Sequence, residues 1–124
     1  MNRTVFISYH FNDKPFKGEI QKWLKETGVN VISVDEKDLR PEGSSQIESG
    51  IKEQIGNSDL VLILVGDDTH NRPWVDYEVA VARSKSVPSY WVRLSNRTGA
   101  APKEVRGIEP VRYNKNDILS LINR

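Results

Sequence analysis

The sequence predicts one α/β domain spanning residues 1–124, in which a parallel β-sheet carries helices on both faces. Residues 60–65 (LVLILV) form a continuous apolar run, which is typical of a central parallel strand covered on both sides. Strand-like segments also alternate with segments whose apolar residues recur at helical spacing. This alternation indicates βαβ units joined by right-handed crossovers.

The first half of the chain is expected to form two strands and two helices. The strands are predicted at residues 4–8 (TVFIS) and 29–34 (VNVISV), because both segments are rich in β-branched residues. Between them, a helix is expected to begin after Asp13, acting as a cap, and to end at Gly28. The second helix is marked by isoleucines at helical spacing: Ile47, Ile51 and Ile55.

The second half is expected to add two helices and two strands to the central run. A helix beginning at Pro73 has a regular apolar stripe, formed by Val75, Val79 and Ala82. Further strands are predicted at residues 89–94 and 111–113, followed by a last helix with Ile118, Leu121 and Ile122. The result is a flavodoxin-like, five-stranded parallel sheet of order 2-1-3-4-5. Such sheets bind ligands outside the carboxyl ends of their strands, near the point where the strand order reverses.

Composition excludes several classes of function. The sequence has no cysteine, so thiolate nucleophiles, cysteine zinc sites and disulfides are excluded, and we expect a cytoplasmic protein. Eighteen basic and 17 acidic residues are interspersed, which gives no electrostatic footprint for nucleic acid. The N-terminus lacks signal-peptide features, and the longest apolar run is too short to cross a bilayer. We therefore expect neither a nucleic acid nor a membrane as partner.

Glu78 is the best candidate for a catalytic residue. It follows Trp74 by four positions in the third helix, so the two side chains share a face. No basic residue lies three or four positions away, so no ion pair within the helix explains this glutamate. A carboxylate framed by apolar residues near a ligand crevice is typical of a site acid or base. The alternative is a half-exposed surface glutamate at the edge of the apolar stripe.

Polar side chains also cluster after the first strand. Ser8, Tyr9, His10 and Asp13 place a hydroxyl, a phenol, an imidazole and a carboxylate there, and these groups could bind ribose, phosphate or a base edge. Equally, Asp13 could only cap the helix, and His10 could only face solvent. The sequence has neither a G-x-G-x-x-G nor a Walker pattern, which argues against a redox dinucleotide fold.

A metal site is not expected from the sequence. His70 lies near Asp67 and Asp68, but the arrangement has no recognisable metal-ligand spacing. A serine–histidine–aspartate triad is not excluded by composition, although no G-x-S-x-G nucleophile elbow occurs.

Three segments resemble a known family. They are VFISYHFND at residues 5–13, DLRPEGSSQIESGIKEQIGNSDL at 38–60, and LVLILVGDDTHNRPWVDYEVAVA at 60–82. Together they resemble the TIR-like domains first grouped as a domain of unknown function, which include the TIR proteins of the Thoeris antiphage system. The most specific part is V-G-D-x-T-x-x-x-x-W-V-x-Y-E, and the resemblance covers residues 4 to about 94.

The resemblance implies an enzyme that splits the nicotinamide–ribose bond of NAD. NAD would be the substrate, and no cofactor would be required. Water would give ADP-ribose, whereas attack from within the same molecule would give a cyclic ADP-ribose isomer that activates a separate effector protein. The sequence leaves open which product forms, what triggers the enzyme, and its oligomeric state, although self-association through TIR surfaces is expected.

The resemblance also assigns roles to residues. In TIR enzymes the catalytic glutamate follows a tryptophan by four positions, as Glu78 follows Trp74 here. Phe6 and Ser8 match the first-strand motif, with Tyr9, His10 and Asp13 beside them. The loop of residues 35–45 matches the position of a mobile loop that shapes the site and contacts a neighbouring protomer. The expected substrate-binding residues are therefore Phe6, Ser8, Tyr9, His10, Asp35 and Trp74.

Three other functions stay open at this point. Many TIR domains are adaptors without catalytic activity, and such an interaction module would act by self-association. A receiver-like domain shares the sheet order, but it needs an acidic pair after the first strand, which ends here in Ser8-Tyr9-His10. A relative of the nucleoside deoxyribosyltransferases would use a glutamate on an N-glycoside, with nucleosides as substrates in place of NAD.

Overall fold

The computed structural model describes residues 3–33, 44–69 and 73–123. In chain order, the strands and helices are β1 (Thr4–Ser8), α1 (Lys14–Glu26), β2 (Asn30–Ile32), α2 (Ser44–Gly56), β3 (Leu60–Val65), α3 (Pro73–Ser84), β4 (Ser89–Arg93) and α4 (Lys115–Ser120). Short 3-10 turns are formed by Phe11–Asp13, Lys103–Val105 and Leu121–Asn123. Among the described residues, no helix is long and apolar enough to cross a membrane.

The sheet is parallel, and its strands lie in the order β2-β1-β3-β4. Val5 of β1 pairs with Val31 of β2 on one side and with Leu60 of β3 on the other. On the far side of β3, Leu62 pairs with Tyr90 of β4. The strand order therefore reverses between β1 and β3, so the carboxyl ends of these two strands flank the switch point.

The prediction of a fifth strand at residues 111–113 is wrong. Within the described part of the chain the sheet has four strands, and Val111 makes only an isolated parallel bridge with Val92. Pro110 has no N–H to donate on one side of Val111. On the other side, the Asn114 side chain already accepts from the backbone N–H groups of Asn116 and Asp117, which begins α4. The chain therefore pairs with β4 at Val111 alone before it reaches the start of α4.

Helices cover both faces of the sheet, as predicted. Because side chains alternate along a strand, Leu62 and Leu64 face α1 and α4, whereas Val61 and Ile63 face α2 and α3. All six residues of β3 are buried, which explains its unbroken apolar run. The α1 and α4 side includes Val5, Ile7, Ile20, Leu24 and Ile118; the α2 and α3 side includes Phe6, Ile51, Ile55, Val75 and Val79.

The predicted helix ends are confirmed in part. Gly28 follows the end of α1 and has a φ of 82°, a left-handed conformation that glycine adopts without strain. Asp13 occupies the position before α1, but its side chain accepts no capping hydrogen bond. Asp13 is therefore the N-cap residue by position, as predicted, but its side chain makes no capping hydrogen bond.

Candidate active site

Glu78 points inward from α3. Its side chain is only 4% exposed, although it is a glutamate in a helix with few inward polar residues. Val75, Val79 and Ala82 lie on the same buried face of the helix. The alternative of a half-exposed surface glutamate is therefore wrong. A buried carboxyl group requires hydrogen-bonding partners, because its removal from water is costly.

Ser8 supplies one of these partners. Its hydroxyl donates a hydrogen bond of 2.7 Å to Oε1 of Glu78, and both residues are buried. Ser8 ends β1, and it points to the same side of the sheet as Phe6, two residues earlier. That side is the one covered by α3. The Glu78 carboxyl group thus extends from the second turn of α3 and is held by a residue at the end of β1.

Trp74 lies one turn before Glu78 on α3 and is half-buried. Its ring packs edge-on against Tyr77, with 5.7 Å between the ring centroids. The Tyr77 hydroxyl in turn donates to the carbonyl oxygen of Glu48 in α2, at 3.3 Å. The face of α3 that carries Trp74 and Glu78 is therefore anchored to the neighbouring helix.

Phe6 and Tyr9 are both buried, but they belong to opposite core clusters. Phe6 is 0% exposed and packs under the α2 and α3 side, below Ser8. Tyr9 packs on the α1 and α4 side, and the ammonium group of Lys17 lies 5.6 Å from its ring centroid. Contact of either ring with a ligand stays a prediction, which this packing does not favour.

His10 does not face solvent, since its side chain is only 5% exposed. Its Nδ1 accepts a hydrogen bond from the backbone N–H of Asn12, at 3.3 Å. Its Nε2 lies 3.9 Å from Oδ2 of Asp68, which follows β3. The imidazole therefore lies between the loops after β1 and β3, at the point where the strand order reverses.

A cavity of about 280 Å³ opens at this switch point. It is lined by six polar residues from three loops: His10, Asn12, Asp13, Asp67, Asp68 and Arg97. Burial raises the pKa of Asp13, and the charge of Asp67 acts in the same direction, whereas His10 and Arg97 act to lower it. The described residues contain no group of three or more histidine, aspartate or glutamate residues arranged to hold a metal ion.

The loop after β4 closes one wall of this cavity. Asp67 holds it, because Oδ1 accepts from the backbone N–H of Thr98 at 2.9 Å, and Oδ2 lies 3.8 Å from Nε of Arg97. A Cβ at Gly99 would lie 2.3 Å from the carbonyl oxygen of Asp67, so only glycine permits this close approach. Sequence reasoning missed Arg97, because its segment has no periodicity that predicts its position.

Two residues singled out from the sequence lie outside the described residues. They are Asp35, expected to contact the substrate, and His70, considered as a metal ligand. The residues that the structure does bring to the carboxyl edge are Ser8, His10 and Asp13 after β1, Asp67 and Asp68 after β3, and Glu78 on α3.

Comparison with known proteins relates this architecture to TIR domains. The family model of the TIR-like domain of Thoeris protein ThsB matches residues 6–98. No curated protein matches the chain. The TIR domain of the Toll-related receptor TRR-2 from Hydra magnipapillata is similar, with a TM-score of 0.69 and 16% identity over 94% of this chain and 89% of that one.

Two further solved structures share the fold. A 2-deoxyribosyltransferase from Bacillus psychrosaccharolyticus has a TM-score of 0.69 and 16% identity, over 93% of this chain and 89% of that one. The TIR domains of the activated Roq1 resistosome, which directly recognizes the pathogen effector XopQ, have a TM-score of 0.60 and 16% identity, over 99% of this chain and 72% of that one. Identities this low show the fold alone, whereas the family model spans most of the 124-residue sequence. The chain therefore belongs to the family of the TIR-like domain of Thoeris protein ThsB.

Proposed function

We propose that this domain cleaves the bond between nicotinamide and ribose in NAD, with Glu78 as the catalytic residue. The observation that carries the proposal is the buried Glu78 carboxyl group, 4% exposed and hydrogen-bonded by Ser8 at the carboxyl edge of the sheet. Membership of the family of the TIR-like domain of Thoeris protein ThsB supports the same proposal. We further propose a cytoplasmic protein that self-associates and signals to a separate effector.

The chemistry suits a single oriented carboxylate. The bond between ribose C1′ and the nicotinamide nitrogen breaks, and its electron pair leaves with nicotinamide. The remaining ribose has oxocarbenium character, which a nearby anion stabilises electrostatically. Nicotinamide departs as a neutral base, so the reaction needs no strong general acid. The hydrogen bond from Ser8 fixes one carboxyl oxygen before the positive charge develops.

Two products are compatible with this first step. Attack by water on C1′, followed by loss of a proton, gives ADP-ribose. Attack by the adenine or by a hydroxyl of the same molecule gives a cyclic ADP-ribose isomer, which could act as the diffusible signal to an effector. We propose Ser8, His10 and Trp74 as residues near the substrate, since they lie at the carboxyl edge or on the face of α3 that carries Glu78.

The test compares NAD turnover by the unmodified protein and by Glu78→Gln. Nicotinamide and adenine-containing products are followed by chromatography and mass spectrometry. Glutamine keeps the size and hydrogen-bonding capacity of the side chain but removes its charge, so we expect nicotinamide release to fall by about a hundred-fold or more. Glu53→Gln is the matched control, because Glu53 is exposed on α2 and should not affect turnover.

The outcomes separate the alternatives. A product mass that differs by one water distinguishes ADP-ribose from a cyclic isomer. Equal release by the Glu78→Gln protein and its control would remove Glu78 from the chemistry. If no protein releases nicotinamide, even at high concentration, the proposal fails and a non-catalytic interaction module leads. Cleavage of nucleosides in place of NAD would favour the chemistry suggested by the structurally similar 2-deoxyribosyltransferase.

A further inference from the structure

The proposed cleavage step leaves one buried carboxyl group at the carboxyl edge without a role. Asp13 is 5% exposed and lines the 280 Å³ cavity between the loops after β1 and β3. Its carboxylate occupies the space beside Gly66, where an added Cβ would lie 2.3 Å from Oδ2. Because glycine has no Cβ, Gly66 leaves the space that the Asp13 carboxylate occupies.

Helix capping does not explain the position of the Asp13 carboxyl group. Its side chain makes no capping hydrogen bond to α1. Among the residues that the structure describes, His10, Arg97 and Asp67 act on its carboxylate through their charges. A carboxyl group that is 5% exposed, makes no capping hydrogen bond and lines a cavity is placed to accept hydrogen bonds from a ligand.

The charges around the cavity restrict the chemistry of that ligand. Three carboxyl groups line the cavity, from Asp13, Asp67 and Asp68. The guanidinium group of Arg97 lies beside Asp67, which offsets part of its positive charge. A phosphate would meet this excess of carboxylates unfavourably. A metal ion is not favoured either, since the described residues contain no suitable ligand group.

The carboxyl groups of the cavity favour a ligand that donates hydrogen bonds. The cavity lies just below the usual range of ligand pockets, about 300–1,000 Å³, so it suits one part of a larger ligand. Two adjacent hydroxyl groups can both donate to one carboxylate, as in the acidic residue that binds a ribose hydroxyl in dinucleotide-binding folds. The cavity also lies at the switch point, the usual ligand position in open parallel sheets.

We infer that Asp13 is a specificity residue, which accepts hydrogen bonds from the vicinal hydroxyl groups of one ribose of the substrate. The inference rests on the proposed function, since it takes a substrate that contains ribose. It adds a second recognition residue beside Glu78, contributed by the 3-10 turn that follows β1. Gly66 is the positioning residue for this carboxylate.

The experiment measures binding of ADP-ribose by isothermal titration calorimetry, so it does not depend on catalysis. The probes are ADP-ribose and its two analogues that lack the 2′-hydroxyl of one ribose or the other. We expect the unmodified protein to bind one analogue about ten- to a hundred-fold more weakly than ADP-ribose, as expected for lost hydrogen bonds to a charged group. In Asp13→Asn, the affinities for ADP-ribose and for that analogue should lie within about three-fold of each other.

A second variant moves the carboxylate without removing it. Gly66→Ala introduces a Cβ that displaces the Asp13 side chain, so it should reduce the same ratio. Asp117→Asn, on α4, is the matched control and should leave all three affinities unchanged. A merely structural role of Asp13 would weaken all three probes equally, and an unchanged ratio in both test variants would overturn the inference.

The two proposals fail in distinguishable ways. If Asp13→Asn loses the binding selectivity but the unmodified protein releases no nicotinamide from NAD, the cleavage proposal is rejected and the ribose site is kept. Nicotinamide release that depends on Glu78, with no effect of Asp13→Asn on the ratio, would do the reverse. Absence of any ADP-ribose binding to the unmodified protein would also overturn the ribose site.

Discussion

Removing the Ser8 hydroxyl tests how the protein holds its candidate catalytic carboxyl group. The Ser8–Glu78 hydrogen bond is 2.7 Å long and joins two residues that are 0% and 4% exposed. A buried hydrogen bond to a group of this kind contributes about 1–3 kcal/mol to stability. We therefore expect Ser8→Ala to lower the free energy of unfolding by about 1–3 kcal/mol, measured by urea denaturation followed by tryptophan fluorescence.

A double-mutant cycle isolates this hydrogen bond from other effects of the substitution. In a Glu78→Leu background the acceptor is absent, so Ser8→Ala should cost less than about 0.5 kcal/mol. Ser84→Ala is the matched control, because the Ser84 hydroxyl donates only to the carbonyl oxygen of Val81 at the exposed end of α3. Its expected effect is within about 0.5 kcal/mol of zero. Equal costs of Ser8→Ala in both backgrounds would refute this reasoning.

Three other changes test the packing at and away from the carboxyl edge. Gly99→Ala should lower the free energy of unfolding by about 1–3 kcal/mol, because its Cβ would meet backbone atoms that cannot move cheaply. Gly18→Ala should raise the free energy of unfolding by about 0.5–1 kcal/mol, since Gly18 lies in α1 and a Cβ there meets nothing within 4 Å. If urea denaturation gives the two glycine substitutions effects of the same sign, this account of the packing is contradicted. Burial raises the pKa of Asp13 in the folded state above its ordinary value of 3.8. The folded protein therefore binds more protons than the unfolded chain between these two pKa values, and it loses stability as the pH rises through them. Asp13→Asn should therefore gain stability relative to the unmodified protein as the pH rises above about 4, and a difference that stays constant with pH would show that Asp13 does not contribute.

The sequence predicted the layered architecture well, because periodicity reports which side chains are buried. The unbroken apolar run of residues 60–65 became a central strand with both faces covered. The stripe of Val75, Val79 and Ala82 became the buried face of α3, as its spacing required. The predicted fifth strand did not form, because only Val111 bridges to β4 and the Asn114 cap begins α4 three residues later.

The burial of Glu78 and the contacts between distant loops were decided only by the tertiary structure. Helical spacing fixed that Glu78 shares a face with Trp74, but its burial depended on how α3 packs over the end of β1. The contact between Asp13 and Gly66 joins loops that are distant in sequence, and no local pattern predicts it. Arg97 reaches the same cavity from an irregular segment after β4. The sequence by itself determined the fold class and the candidate catalytic glutamate, because periodicity and motif spacing are local. Only the tertiary structure decided which polar groups meet at the carboxyl edge, because that depends on contacts between residues far apart in the chain.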